Sequence, residues 1–192
     1  MSNERSIHAV RRHDRAQPDE WVQRFLREAP FGYLATVADG QPFIVSNAFA
    51  YAEDLHALYF HTSRTGRTAA NVAAGGPAAF STATMGRVLP AATALDFGVE
   101  YAGVVAFGRV EMVTDISEKE RALQLILDKY APHLRPGRDY RPISLSEMDR
   151  TAVERLTVST WSGKSFGEPI DFPGAFPFPD PTTDWFSPGA GR

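Results

Sequence analysis

The residues best suited to chemistry lie in one short segment, LYFHTSRTGRTAAN, at positions 58–71. An apolar alternating run leads into imidazole and hydroxyl side chains at 61–63, and two arginines then bracket Gly66. The small residues at 68–74 predict a short helix directly afterwards. A helix N-terminus offers free backbone N–H groups to an anion, and arginine binds phosphate in a bidentate manner. The segment therefore predicts a phosphate cradle, most simply for a nucleotide-type cofactor.

A plainer interpretation of the same segment is a solvated basic turn that precedes a surface helix. Short anion-binding motifs have many false matches, so the segment alone leaves both interpretations open. His61 is ambiguous in the same way. It could face a ligand or substrate and donate a hydrogen bond or a proton, or it could be a structural histidine beneath the phosphate.

The first half of the chain predicts a helix and then strands that position the cradle. Apolar residues at helical spacing follow Pro18, and Pro30 ends this helix near Ala29. Strands are predicted at 31–38, 41–51, 56–62 and, after the short helix, 78–83. Asp39-Gly40 is a strong hairpin signal. Tight turns between the first three strands predict an antiparallel meander.

The second half predicts further strands around one capped helix. The segment 85–98 is either a long loop or a strand that crosses the barrel. A long strand follows at 99–114, with bends expected at Gly103 and Gly108. The S-x-x-E pattern at 117–120 predicts a capping box and a helix to Tyr130. One helical turn at 146–150 and a last strand at 153–162 complete a mainly β fold with flanking helices.

Three regions are expected along the chain. Residues 1–17 form a basic, flexible arm, residues 18–167 one domain, and residues 168–192 an extended tail. The tail holds six of the fourteen prolines. It also carries an unusual number of aromatic residues for a disordered segment, namely Phe172, Phe176, Phe178, Trp185 and Phe186. We therefore expect the tail to pack over its own domain or over a second subunit.

Composition excludes several function classes. The chain has no cysteine, which rules out disulfides and thiolate chemistry and fits a reducing cytoplasm. A net charge of −3 argues against nonspecific nucleic-acid binding, and no apolar run has the length of a membrane span or signal peptide. The five histidines lack metal-ligand spacing, and neither a P-loop nor a nucleophile elbow is present. Metal, nucleic-acid and membrane partners are not expected.

The order of these elements resembles that of the pyridoxamine 5′-phosphate oxidase-related FMN-binding proteins, over roughly residues 21–164. Within this family the chain most resembles the subgroup of nitroimidazole-resistance proteins. Phe60, His61 and Gly66 match that subgroup's Phe-His-x-x-x-x-Gly pattern, and Tyr101 through Gly108 resemble its Tyr-x-Ser-Val-x-x-x-Gly pattern. The resemblance implies a split β-barrel that forms a homodimer, with one FMN in each of two grooves between the subunits.

The resemblance also implies which residues bind the cofactor. Positions 45–47 would meet the flavin ring, 61–62 the ribityl and phosphate end, and 66–68 the phosphate, with Arg64 assisting. The full set is Val45, Ser46, Asn47, His61, Thr62, Arg64, Gly66, Arg67 and Thr68. Many relatives carry lysine at the position of Thr68 and serine at that of Gly103, so this chain departs from the family there.

The resemblance further implies FMN-dependent oxidoreduction of a small organic substrate, for which nitroaromatic compounds are candidates. The vitamer-binding pattern of the true oxidase is not visible near the C-terminus, which argues against pyridoxamine phosphate as substrate. Three alternatives stay open: a reductase that uses the deazaflavin coenzyme F420, a non-enzymatic flavin- or haem-binding protein, and a barrel without cofactor. The tail is expected to cover part of the flavin side of the dimer interface.

Overall fold

The computed structural model describes residues 9–178, which form a single sheet with four flanking helices. The helices are α1 (Asp19–Glu28), α2 (Arg67–Ala74), α3 (Ile116–Tyr130) and α4 (Leu145–Arg150). The strands are β1 (Ala16–Gln17), β2 (Gly32–Ala38), β3 (Gln41–Asn47), β4 (Phe49–Ala52), β5 (Ala57–Ser63), β6 (Pro77–Leu89), β7 (Gly98–Met112), β8 (Thr151–Phe166) and β9 (Phe176–Pro177). The expected mainly β fold is confirmed.

The sheet curls into a split barrel. Its strand order is β3-β2-β6-β7-β8-β5-β4, with β1 added to β8 and β9 added to β6. β3 and β4 lie at opposite ends of this order, yet only Ala48 separates them in the chain. A flat sheet would hold its two ends far apart, so the sheet must curl until its ends meet at Ala48.

The predicted meander is therefore wrong. β2 and β3 form one hairpin and β4 and β5 form another, but β3 and β4 do not pair. The single return strand expected at 41–51 is divided at Ala48, because the chain crosses there from one end of the curled sheet to the other. The hairpin signal itself is confirmed, since Asp39 and Gly40 both adopt positive φ angles, of 51° and 74°.

Inward-facing residues from all the long strands fill the barrel. Phe49, Phe60 and Phe80 are fully buried, and their ring centres lie 4.6 Å (Phe49–Phe80) and 5.6 Å (Phe60–Phe80) apart. α1 adds Val22 and Leu26 to the same core cluster. The helix predicted after Pro18 is thus an amphipathic cover for this core.

The ambiguous segment 85–98 is part strand and part loop. β6 continues to Leu89 with a register shift between Met85 and Val88, and β7 begins at Gly98. Residues 90–97 lie outside the ladder, with one turn of 3-10 helix at Ala94–Asp96. Of the two expected bends in β7, the register shift lies at Phe107/Gly108, and the ladder through Gly103 is regular.

The capping box expected at 117–120 is also wrong. Asp115 caps α3, and its carboxylate accepts a hydrogen bond from the Glu118 amide at 2.8 Å. The Glu118 side chain turns to the barrel instead, where it accepts hydrogen bonds from Tyr59 and Arg155. A capping box does occur at α4, where Ser144 and Glu147 satisfy each other's backbone amides.

Parts of the arm and tail contact the sheet. The two residues of β1 pair with β8, and β9 pairs with β6 at Arg87 and Val88. Arg87 also donates hydrogen bonds to the backbone carbonyls of residues 168, 169 and 170. The tail residues Trp185 and Phe186 and the arm residue His8 lie outside the described residues. Within 9–178, no helix is long and apolar enough to cross a membrane.

The register shift at Gly108 gives a direct test of the β7–β8 seam. A Cβ atom at this position would lie 1.9 Å from the Thr157 carbonyl oxygen, so Gly108→Ala forces the two strands apart. We expect a loss of about 2–4 kcal/mol in the free energy of unfolding, measured by urea denaturation. Gly98→Ala in the same strand is the matched control. Its Cβ atom meets nothing closer than 3.7 Å, and equal effects of the two substitutions would contradict this description of the seam.

Candidate functional site

The cradle segment folds as a strand, a turn and an open helix N-terminus. β5 ends at Ser63, and Gly66 precedes α2 with a φ angle of 116°, which favours glycine. Among the residues that the structure describes, no side chain caps α2, and its first turn contains no acidic residue. In contrast, side chains of Asp115 and Ser144 cap α3 and α4. The first amides of α2 are thus available to an anion, as the phosphate interpretation requires.

α2 is fixed in place by the barrel interior. Val72 belongs to the main core, and the buried Asn71 amide donates a hydrogen bond to the Thr36 hydroxyl of β2 at 3.0 Å. Arg67, at the start of the helix, places its guanidinium carbon 5.7 Å from the centre of the Phe43 ring on β3. The structure therefore brings the 66–68 turn close to β3.

β3 presents an unpaired backbone edge near Arg67. The strand order ends at β3, so in the described part of the chain only β2 pairs with it. Residues that flank a two-residue hairpin turn exchange both backbone hydrogen bonds, and this pattern alternates along the strand. By this alternation the N–H and C=O groups of Ile44 and Ser46 point away from β2. The free edge can hydrogen-bond a flat ligand.

The side chains of 45–47 divide between the two faces of β3. Val45 packs against the core, whereas Ser46 is exposed on the outer face. Asn47 points inward, and its Nδ2 atom is buried without a hydrogen-bond partner in the described residues. A buried amide nitrogen without an acceptor is costly, so a bound acceptor at this position would stabilise it.

His61 and Thr62 point to opposite faces of β5, as successive strand residues do. His61 lines a cavity of about 300 Å³ on the outer side, together with Leu127 of α3 and Tyr140. Thr62 points inward and donates a hydrogen bond to the Glu154 carboxyl group at 2.8 Å. Arg64 donates to the backbone carbonyl of Asp149 at the end of α4. These three residues do not converge with Arg67 on one point.

Glu154 is a site-adjacent residue that the sequence interpretation missed. It is fully buried on β8, directly between Phe60 of β5 and Met112 of β7. Its Oε2 atom has no hydrogen-bond partner in the described residues, and burial raises the pKa of this carboxyl group. The sequence pattern could have identified it. Glu154, Leu156 and Val158 occupy alternate positions of the last strand, so all three side chains lie on its core-facing side.

Glu154 predicts a specific pH dependence of stability. Because the pKa of Glu154 is higher in the folded protein than in the unfolded chain, the folded protein holds this proton more tightly. The free energy of unfolding therefore falls as pH rises and the buried carboxyl group ionises. Glu154→Gln keeps an acceptor for Thr62 without this charge. We expect the variant to be about 1–3 kcal/mol more stable than the wild type at neutral pH, with the difference shrinking towards pH 4. A difference in unfolding free energy that does not change with pH would contradict this interpretation.

Among residues 9–178, no group of three or more histidine or acidic side chains is placed to bind a metal ion. The features suited to an organic cofactor lie in the α2 and β3 region. In this region an open helix N-terminus, an arginine and an unpaired strand edge lie side by side.

Comparison with known proteins gives the same architecture. A model of the pyridoxamine 5′-phosphate oxidase family matches residues 18–165. A flavocytochrome from Azotobacter vinelandii is similar in structure, with a TM-score of 0.70 and 23% identity over 96% of this chain and 81% of that one. An FAD- and haem-binding protein from Mycobacterium smegmatis gives a TM-score of 0.71 and 24% identity over 84% of this chain and 82% of that one.

A putative 5-nitroimidazole antibiotic resistance protein from Bacteroides thetaiotaomicron has a TM-score of 0.65 and 19% identity, over 79% of this chain and 87% of that one. At these identities the neighbours establish the fold. A search of curated proteins found no match. The family match covers most of the chain and confirms the resemblance in the sequence: this chain belongs to the pyridoxamine 5′-phosphate oxidase family.

Proposed function

We propose that this chain is a flavoprotein that binds FMN and uses it in the oxidoreduction of a small organic compound. The observation that carries the proposal is the open N-terminus of α2, with the Arg67 guanidinium beside the Phe43 ring of β3, the end strand of the sheet. A phosphate and a flat, hydrogen-bonding ring are the two groups that this pair of features accommodates. Bound flavin supplies the electron chemistry, and the protein orients it and admits substrate.

The phosphate end of the ligand is assigned to 66–68. The first amides of α2 and the Arg67 guanidinium would hold the phosphate oxygens, and the Thr68 hydroxyl would add a neutral donor where relatives carry lysine. Arg64 is already bound to the Asp149 carbonyl, so its proposed role is to hold the turn against α4. Thr62 supports the same turn from inside the barrel through Glu154.

The ring end is assigned to the edge of β3. Alternating backbone groups at 44–46 suit the carbonyl and N–H groups of a flavin pyrimidine ring. The unpartnered Asn47 amide nitrogen gives a further donor nearby. His61 lines a cavity with α3 on the outer side of β5, so its place at the ribityl and phosphate end stays an expectation from the family resemblance.

The names of the structural neighbours support a flavin over the deazaflavin alternative. One is a flavocytochrome and another binds FAD and haem. We favour FMN because the cradle and the β3 edge account for one phosphate and one ring system.

Oxidation of NADH or NADPH in the presence of a nitroaromatic compound would distinguish an enzyme from a protein that only binds flavin.

We further propose a homodimer formed through the outer face of the sheet. Cross-strand neighbours on β3, β2, β6 and β7 present a continuous face without charged residues, made of Tyr33, Ala35, Val37, Ile44, Ser46, Ala79, Ser81, Val105 and Phe107. Ile44 is 64% exposed and Tyr33 50% exposed. An apolar face of this extent marks an interface, and a second copy would place a groove along the β3 edge.

Arg67→Ala tests the cradle. Loss of one charge-assisted hydrogen bond should weaken FMN binding by about 1.5–3 kcal/mol, measured by quenching of flavin fluorescence on titration of the flavin-free protein. Arg138→Ala is the matched control, because Arg138 is an exposed arginine paired only with its neighbour Asp139. Unchanged FMN affinity in the Arg67 variant would show that the cradle assignment is wrong.

Ile44→Lys tests the dimer. A charge in the centre of the uncharged face should dissociate the subunits, so sedimentation velocity at micromolar concentration should shift from twice the chain mass of 21.1 kDa to the monomer value. Leu55→Lys changes an equally apolar, exposed residue in the turn between β4 and β5 and should leave the dimer intact. A wild-type monomer that still binds FMN would contradict this proposal.

A further inference from the structure

A cavity of about 740 Å³ lies at the far end of the sheet from the cradle. Phe43, beside Arg67, pairs with Thr36, and Thr36 pairs with Ala78 near the start of β6. The cavity borders Leu89 at the other end of β6. Leu89 lies eleven residues after Ala78 along β6, which corresponds to roughly 35 Å of extended strand. This cavity is therefore distinct from the proposed flavin cradle.

Two segments outside the family-matched region 18–165 help to form this cavity. The arm contributes Arg12 and Arg15, and the segment after the matched region contributes Phe166, Glu168 and Phe172. Both segments are held in place by backbone pairing or by Arg87. Segments on both sides of the family-matched region thus help to build the cavity, and its volume suits a small organic molecule.

One wall of the cavity is apolar. The tip between β6 and β7 contributes Leu95 and Phe97, whose exposed fractions are 94% and 52%. Leu89, Phe166 and Phe172 continue this wall. Large apolar side chains left in water at a concave surface favour an apolar ligand, above all a flat ring.

One fixed cation lies beside the apolar residues of this cavity. The Arg15 guanidinium stacks on the Phe166 ring at 3.9 Å, and its Nη1 atom donates a hydrogen bond to the Tyr101 hydroxyl at 3.1 Å. Its Nε atom is buried and has no hydrogen-bond partner in the described residues, because the nearest Asp14 oxygen is 3.9 Å away. An immobilised guanidinium with an unused donor is suited to an oxyanion.

The other charged groups at the cavity are mostly paired. Arg12 forms two hydrogen bonds to Asp14, and Asp96 accepts one from Thr93 at 2.6 Å. Glu168 also lines the cavity. Arg15 lies 3.9 Å from Asp14, and within the described residues its Nε donor has no hydrogen-bond partner.

We propose that this cavity binds an apolar ring compound that carries a carboxylate or comparable oxyanion. The ring lies against Phe97 and Leu95, and the oxyanion accepts hydrogen bonds from Arg15 and Tyr101. The site is separate from the flavin cradle, and its occupation does not depend on the proposed flavin chemistry.

A matched pair of fluorescent probes tests this site on the full-length protein. Anilinonaphthalene sulfonate has an apolar ring system and one anionic group, and phenylnaphthylamine has the same rings without the anion. We expect both probes to bind, and Phe97→Ala to weaken both. Arg15→Met should weaken the anionic probe roughly tenfold and leave the neutral probe within about twofold, because it removes the charge and keeps the side-chain length.

Arg138→Met is the control for a general change of surface charge, and it should change neither probe. Equal loss of both probes in Arg15→Met would mean that the arm merely closes the cavity, and no loss would mean that Arg15 does not recognise the anion. Either result overturns the proposal. FMN affinity should be unchanged in Arg15→Met, and a parallel loss would assign the cavity to the flavin site and also overturn it.

Discussion

Closure of one continuous sheet is the constraint on which the rest of this structure depends. The strands at its two ends, β3 and β4, are consecutive in the chain, and Ala48 alone joins them. The sheet must therefore curl around a core of three packed phenylalanine rings. Within residues 9–178 the far edge of β3 has no strand partner, and this free edge makes ligand binding by backbone groups feasible.

The buried polar groups near the site are of two kinds. Some have hydrogen-bond partners and hold the site in place, and others have an atom without a partner in the described residues. The Asn71–Thr36 hydrogen bond is buried and satisfied, and it fixes α2 so that its N-terminus points to a constant position. Asn47 and Glu154 each keep one buried polar atom without a partner in the described chain. Such costs are typical of functional sites, where a ligand or a proton completes the pairing. The same reasoning applies to Arg15 at the opposite end of β6.

Local signals in the sequence predicted local structure well. The type I′ hairpin at 39–40, the amphipathic α1 and the glycine before α2 depend on neighbouring residues, and all are confirmed. Strand pairing is decided by contacts distant in sequence, so the meander was wrong although its hairpins were right. The α3 cap was misplaced by two residues because Asp115 and Ser117 are both good capping residues, and Glu118 is drawn to Tyr59. The role of Arg15 could not be predicted from the sequence, because it depends on contact with Phe166, which is distant in the chain.

The proposed function requires an organic cofactor with one phosphate and one ring system, held between α2 and β3. The most direct measurement is chromatography and mass spectrometry of the small molecule released when the purified protein is denatured. We expect FMN in equimolar amount to the chain. Release of a deazaflavin, or of no flavin from a protein that also fails to take up added FMN, would contradict it.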